Sequence, residues 1–136
     1  MTSTNYFNTL IEVAEDCSAT VGEMPPIRGD KKSVANLQFE MLHEHPYEFT
    51  SDDVLFSVFA IRKEILEGAL KEQRELFFSK GQPCFRASPL PKRYGWGVHS
   101  NEEGKIALYG VDSEDYQKLV AHESVTKKKA MRAKRT

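Results

Sequence analysis

The chain has 136 residues, of which 40% are hydrophobic and 29% charged, and its 19 basic and 20 acidic residues leave a formal net charge of −1. This length fits one domain, and the apolar fraction is too high for a fully disordered chain. The sequence lacks an apolar run long enough for a transmembrane helix, and residues 1–6 lack the pattern of a signal peptide. With Cys17 and Cys84 interpreted as reduced thiols, the composition indicates a small cytoplasmic protein.

The N-terminal third of the chain predicts a strand, a long loop and a helix. The β-branched and apolar residues of 9–14 favour a strand. Residues 15–32 contain glycines and prolines that predict a loop. Ser33 suits a helix N-cap, and the good helix formers after it predict a helix over 33–43, which ends before Pro46.

The apolar run 54–61 is ambiguous. Its β-branched and aromatic residues, bounded by polar ones, favour a central strand that is apolar on both faces. The polar residues 50–53 would equally cap a helix, and a short apolar run does not distinguish the two structures. We therefore predict a strand over 54–61 and keep a mostly helical interpretation of 51–80 as the alternative.

The next segment carries the clearest helical pattern. Apolar residues at helical spacing predict a helix over 66–80, and Gly81 and Pro83 follow it as they follow many helix ends. The two prolines in the middle of 84–99 predict a loop there.

The C-terminal part predicts a hairpin and a last helix. Residues 95–99 and 105–110 flank a short glycine-containing turn, which is typical of a β-hairpin. Ser113 is a suitable cap for a helix over 113–121. Residues 127–136 are basic and aperiodic, so we expect a disordered tail or an extension of that helix outside a domain at 1–126.

These elements predict a single α+β domain, with a mainly antiparallel sheet of about four strands and three helices packed on one face. The early alternation of helices and strands also allows one parallel pair. The residues expected to be largely buried are Phe56, Val58, Leu70, Phe77, Trp96, Ile106 and Leu108.

The stretch 84–99 holds several cations and no carboxylate. Arginine and lysine match the oxygens of phosphate or carboxylate, and an indole can stack on a base or a sugar. This pattern predicts a pocket for a phosphorylated ligand or nucleic acid. The predicted ligand-binding residues are Arg86, Lys92, Arg93, Tyr94, Trp96 and His99. A competing interpretation makes the stretch a packed loop, with Trp96 in the core and the cations in solvent.

A small enzyme is the alternative function. His99 would act as acid or base, with Ser88 or Cys84 as the nucleophile and an arginine stabilising an anion. These three residues are weak catalytic candidates, because only their co-occurrence supports them. The hypothesis requires His99 to face the same cleft as one of the other two.

Other chemical patterns have simpler explanations. His43 and His45 lie at a predicted helix end, where a histidine favours the helix dipole, so we expect no metal site there. The acidic pair Asp52 and Asp53 is interpreted as a cap. The sequence contains no cofactor-binding fingerprint, and we expect no cofactor and no membrane partner.

The net charge averages over unlike parts of the chain. Six of the 19 cations lie in 127–135, so the rest of the chain carries 13 cations and 20 acidic residues. An anionic ligand or nucleic acid would therefore bind the basic tail or the 84–99 stretch. The sequence leaves the oligomeric state open, a homo-oligomer included.

Several segments resemble a bacterial family of small, single-domain proteins of unknown function. The segments that carry the resemblance are 9–17, 46–47 with 50–56, 77–84 and 92–99. The resemblance covers nearly the whole chain and implies a bacterial protein of the cytoplasm. It implies no activity and no site residue, so the candidates above rest on side-chain chemistry alone.

Overall fold

A computed structural model of the chain describes residues 2–133. The described part contains four strands, β1 (Thr9–Glu12), β2 (Trp96–Ser100), β3 (Ile106–Gly110) and β4 (Thr126–Lys129). Its five α-helices are α1 (Val34–His43), α2 (Ser51–Arg62), α3 (Leu70–Phe77), α4 (Pro89–Arg93) and α5 (Glu114–Ala121). Single 3₁₀ turns at Glu67–Ala69 and Phe85–Ala87 precede α3 and α4.

The predicted α+β class is confirmed, but the sheet is mixed and the described helices number five rather than three. The strand order is β3-β2-β1-β4. Strand β2 pairs antiparallel with both β1 and β3, which confirms the predicted hairpin. Strand β1 pairs parallel with β4, with Thr9 opposite Thr126.

The prediction of a strand over 54–61 is wrong, because the segment lies within helix α2. Thr50 caps this helix by accepting a hydrogen bond from the backbone of Asp53, whose side chain accepts one from the backbone of Thr50. The helix is covered on two sides, so Val54 and Val58 join one apolar cluster and Phe56 and Ala60 join another. Two buried faces of a helix thus reproduce the continuous apolar run that favours a central strand.

The prediction of a disordered tail over 127–136 is wrong for its first residues, because 127–129 lie in β4. Backbone hydrogen bonds to β1 hold this strand, and the Arg86 side chain donates to the carbonyl of Lys129 at 2.8 Å. Arg132 then forms an ion pair with Glu15 at 3.0 Å. The domain therefore extends beyond 126, and the predicted tail residues 134–136 lie outside the described residues.

Local signals account for the other differences between prediction and structure. Helix α3 ends at Phe77 rather than at 80, and the next residue, Phe78, is fully buried. The predicted loop at the middle of 84–99 contains helix α4, because Ser88 caps it by accepting a hydrogen bond from the N–H of Leu90. Pro89 occupies the first helical position, where the missing N–H costs nothing.

Both faces of the sheet are covered, whereas the sequence predicts helices on one face. Val98 of β2 packs with Leu42 of α1 and Val54 of α2. Helix α5 covers the opposite face, where a Cβ on Gly97 would lie 2.5 Å from the ring of Tyr116. The sheet therefore separates a main core from a thinner layer under α5.

The predicted core is partly confirmed. Phe56, Val58 and Ile106 are buried. The other four predicted core residues are only partly buried, namely Leu70, Phe77, Trp96 and Leu108. None of the helices in the described part of the chain is long and apolar enough to cross a membrane.

Candidate functional site

Arg86 forms hydrogen bonds that hold β4 and the residues after it. Its Nε donates to the carbonyl of Lys129 at 2.8 Å, and its own carbonyl accepts from the N–H of Met131 at 2.8 Å. The guanidinium also lies near the hydroxyl of Tyr6, whose pKa it lowers against the larger effect of burial. These contacts explain the position of Arg86 by packing, and no ligand is needed to account for them.

Trp96 also makes contacts within the fold, although it is only partly buried rather than in the core as the competing interpretation holds. Its indole N–H donates to the carbonyl of Glu23 at 2.8 Å, and its ring lies 5.5 Å from that of Phe39. A Cβ on Gly22 would lie 2.9 Å from the indole, so a glycine is needed at the closest approach of the loop. The indole is therefore partly covered by the loop before α1.

Lys92, Arg93 and Tyr94 come together at the end of α4. They line a cavity of about 350 Å³ whose opposite side is the start of α1, at Ser33 and Val34. Within the described chain, Lys92 and Arg93 form no ion pair, and the hydroxyl of Tyr94 has no hydrogen-bond partner. No carboxylate is among the described residues that line this cavity. Three of the six predicted ligand-binding residues therefore share one cation-lined depression.

The start of α1 adds to the positive potential of this cavity. Ser33 accepts a hydrogen bond from the N–H of Asn36, which leaves the N–H groups of Val34 and Ala35 without an acceptor in the described structure. The first turn of α1 carries no acidic residue. The partial positive charge of a helix N-terminus is therefore not neutralised at this point.

His99, the sixth predicted residue, lies on the other face of the sheet. Successive residues of a strand point to opposite faces, so His99 points away from the core that contains Val98. Its Nδ1 lies 2.8 Å from the hydroxyl oxygen of Tyr47, which in turn lies 2.7 Å from that of Tyr109. The structure thus places His99 in a cluster with two tyrosines that the sequence did not single out.

Burial sets the protonation of this cluster. Burial, aided by the nearby His122, lowers the pKa of His99, so its imidazole is neutral near pH 7. Burial and the Tyr109 hydroxyl raise the pKa of Tyr47, so its phenol keeps its proton. A neutral imidazole bonded to a phenol can pass a proton between the two groups, but a reactive nucleophile is not part of this cluster.

The predicted catalytic constellation is not assembled. The hydroxyl of Ser88 donates to Oε1 of Gln38 at 2.6 Å, on the α1 side of the sheet. The sulfur of Cys84 lies 3.4 Å from the hydroxyl of Tyr6. Both residues line a cavity next to α1 and α2, whereas His99 faces the α5 side. His99 therefore has neither nucleophile within hydrogen-bond reach.

The simpler explanations hold for His43 and Asp53 but not for Asp52, whose carboxylate accepts hydrogen bonds from Ser3 and Thr4 rather than capping α2. His43 lies in the last turn of α1 and stacks on Phe39. Asp53 completes the cap of α2 and pairs with Arg74 at 2.9 Å. Burial raises the pKa of this carboxyl, but the hydrogen bonds from Thr50 and the contact with Arg74 together outweigh burial and lower it. No group of three or more metal-ligating side chains occurs among residues 2–133.

Comparison with protein families assigns the chain to a family. A family model described as a family of unknown function, DUF6157, matches residues 1–136. The chain belongs to DUF6157. No curated protein and no solved structure matches it significantly. The resemblance to a single-domain family of unknown function is thereby confirmed, and the family assigns no role to any residue of the DUF6157 chain.

Proposed function

We propose that the protein binds a small phosphorylated ligand in the cavity lined by Lys92, Arg93 and Tyr94. The observation that carries the proposal is the convergence of two unpaired cations on one cavity without a carboxylate in its described lining. Arginine and lysine form short, charge-assisted hydrogen bonds with phosphate oxygens. The free N–H groups at the start of α1 supply further donors to the same ligand.

The size of the cavity and the charge of the chain favour a small ligand over a nucleic acid. A cavity of about 350 Å³ lies at the lower end of the range for small-molecule sites. The chain outside 127–135 carries 13 cations and 20 acidic residues, which repel an extended polyanion. Part of the basic segment is also engaged within the fold, since Arg132 pairs with Glu15.

The enzyme hypothesis has no comparable support. It depends on His99 acting with Ser88 or Cys84, and the sheet lies between His99 and both nucleophiles. Anion binding at the 84–99 stretch is therefore the function that the geometry supports best.

Titration calorimetry with inorganic phosphate and pyrophosphate at low ionic strength tests the proposal. We expect the double variant Lys92→Ala/Arg93→Ala to bind pyrophosphate at least roughly tenfold more weakly, since each lost charged hydrogen bond is worth about 1.5–3 kcal/mol. The matched control is Lys80→Ala/Lys118→Ala, which removes two exposed cations away from the cavity. Its affinity should stay within about twofold of the wild type.

Three results would contradict the proposal. The first is the absence of saturable pyrophosphate binding, and the second is equal binding by the wild type and the cavity variant. The third is tight, steeply salt-dependent binding of a single-stranded or duplex oligonucleotide without any binding of pyrophosphate, which would assign the cations to nucleic acid instead.

A further inference from the structure

A second cavity, which we call the α1–α2 cavity, lies between these helices and the segment that follows α3. Its volume is about 360 Å³. Val34, Ala87 and Pro89 border both this cavity and the phosphate cavity, so the two are neighbours. Its lining chemistry differs from that of the phosphate cavity and indicates a different ligand.

Most of the lining of the α1–α2 cavity is apolar. The side chains that provide it include Val34, Leu55, Val58, Phe59, Phe77 and Pro89. Such walls favour a ligand with an apolar body, because binding removes apolar surface from water. At roughly 30 Å³ per non-hydrogen atom, the volume that a water molecule takes in the liquid, the cavity holds about a dozen such atoms.

Gln38 contributes an unused hydrogen-bond donor to this cavity. The residue is only 2% exposed, and its Oε1 accepts from the hydroxyl of Ser88 at 2.6 Å. Its Nε2 has no hydrogen-bond partner in the described structure. Every fully enclosed side-chain nitrogen or oxygen of the described residues does have one, so the free Nε2 keeps some accessible surface, and Gln38 is a lining residue of this cavity. A buried donor of this kind favours a ligand that brings an acceptor oxygen.

Arg62 supplies the charge at the mouth of the cavity. It is the last residue of α2, it is exposed, and it forms no ion pair with any described carboxylate. It is the only charged side chain in the described lining. A guanidinium without an ion pair beside an apolar cavity matches an organic anion, and its fork shape fits a carboxylate.

We propose that the α1–α2 cavity binds a small organic acid with an apolar body. Its carboxylate pairs with Arg62 at the mouth, and a neutral carbonyl or hydroxyl oxygen accepts a hydrogen bond from Nε2 of Gln38. Ser88 orients the Gln38 amide by donating to its oxygen, which leaves the nitrogen free for the ligand. This site uses residues other than Lys92 and Arg93, so it stands independently of the phosphate site.

Calorimetric titration with three related compounds tests the ligand chemistry. The first probe, 4-oxo-4-phenylbutanoate, carries both the ketone and the carboxylate. The second, 4-phenylbutanoate, lacks the ketone oxygen, and the third, 4-phenylbutan-1-ol, lacks both the ketone and the carboxylate. We expect the oxo acid to bind most tightly and each omission to weaken binding roughly tenfold, as for the loss of one hydrogen bond to a buried or charged group. No saturable binding of the oxo acid, or equal binding of the alcohol, would overturn the proposal.

Matched variants test the two residues. Arg62→Ala should weaken both acids roughly tenfold, whereas Lys63→Ala, which removes the neighbouring exposed cation, should leave their affinities unchanged. Equal weakening by the two variants would overturn the role of Arg62. Arg62 is exposed, so this arm does not depend on a variant with a damaged core.

The ketone preference tests Gln38. Gln38→Met should abolish the preference for the oxo acid over 4-phenylbutanoate. Ser88→Ala removes the donor that orients the Gln38 amide but keeps the amide nitrogen, so it should reduce the preference without abolishing it. Thermal unfolding shows which variants are folded. If Gln38→Met is not folded, the three probes and the comparison of Arg62→Ala with Lys63→Ala test the proposal. A preference that persists in folded Gln38→Met contradicts the proposal.

Discussion

The hydroxyl oxygen of Tyr47 lies 2.8 Å from Nδ1 of His99 and joins the turn after α1 to the sheet face under α5. The backbone of Tyr47 has φ of 59°, in the left-handed region that aromatic residues seldom adopt. Its N–H donates to the carbonyl of Ile106 at 2.9 Å, which holds the turn against β3. The backbone hydrogen bond to Ile106 therefore holds Tyr47 in an unusual conformation, and the hydroxyl contact sets the environment of a titratable histidine.

The first prediction concerns pH. Because burial lowers the pKa of His99, the unfolded chain takes up a proton at higher pH than the folded chain does. The contribution of His99 to stability is therefore complete above the ordinary histidine pKa of about 6.5 and is lost as the pH falls from there through the folded pKa.

We expect the wild type to lose more of its free energy of unfolding than His99→Gln when the pH is lowered from roughly 7.5 to roughly 5, measured by urea denaturation. The variant keeps the other three histidines, so it is the control for their contribution to the acid response. Equal losses would show that burial of His99 does not govern the acid response.

The second prediction concerns the contact between α5 and the sheet. A Cβ on Gly97 would lie 2.5 Å from the Tyr116 ring, so Gly97→Ala should lower the free energy of unfolding by about 1–3 kcal/mol through overpacking. Gly68→Ala is the matched control, because a Cβ there meets nothing within 4 Å. Urea denaturation of both variants measures the difference, and a stable Gly97→Ala would contradict the packing of α5.

The third prediction concerns Asp52, which is 2% exposed. Its carboxylate accepts hydrogen bonds from the N–H and the hydroxyl of Thr4, at 2.8 and 2.7 Å, and from Ser3 at 2.8 Å. Asp52→Ala removes the acceptor of these three bonds and should lower the free energy of unfolding by about 2–3 kcal/mol. The exposed Glu102 provides the control, since Glu102→Ala should change it by less than about 0.5 kcal/mol.

The N-terminal segment gives an independent measurement of the same contact. Without the Asp52 carboxylate, we expect residues 2–6 to become accessible to proteolysis while the rest of the domain stays resistant. Unchanged proteolysis in folded Asp52→Ala would show that this carboxylate does not anchor the segment.

The fourth prediction concerns β4. Arg86→Ala removes the donor to the Lys129 carbonyl, so amide hydrogen exchange over 126–130 should become roughly tenfold faster while exchange in β2 stays unchanged. Lys128→Ala removes a cation from the same strand without removing a hydrogen bond and should leave exchange as in the wild type. Faster exchange in both variants would attribute the effect to charge instead.

Elements that carry their own local signals could be predicted from the sequence. Ser33 and Ser113 cap α1 and α5 as expected, and the turn that contains Gly104 closes the β2–β3 hairpin. Helix α2 could not be distinguished from a strand, because neighbours on both sides bury two of its faces. Strand β4 has no apolar pattern, and its pairing with β1 depends on residues far away in the chain.

The candidate site likewise contains residues that the sequence could predict and residues that it could not. Lys92, Arg93 and Tyr94 are adjacent in sequence, so their shared chemistry was visible before the structure. Gln38 and Ser88 meet only through the packing of α1 against α4, and Tyr47 meets His99 only through the turn after α1. Ordinary residue types at distant positions give no sequence signal for such contacts.

The parallel pairing of β1 with β4 also orders the events of folding. Well over a hundred residues separate Thr9 from its partner Thr126, so this pairing closes a very long loop. During synthesis β1 emerges early, and it has both neighbours only after β4 has left the ribosome. Until then the edge of β1 that β4 will cover stays open, and this interval is when the nascent chain is most exposed to pairing with other chains.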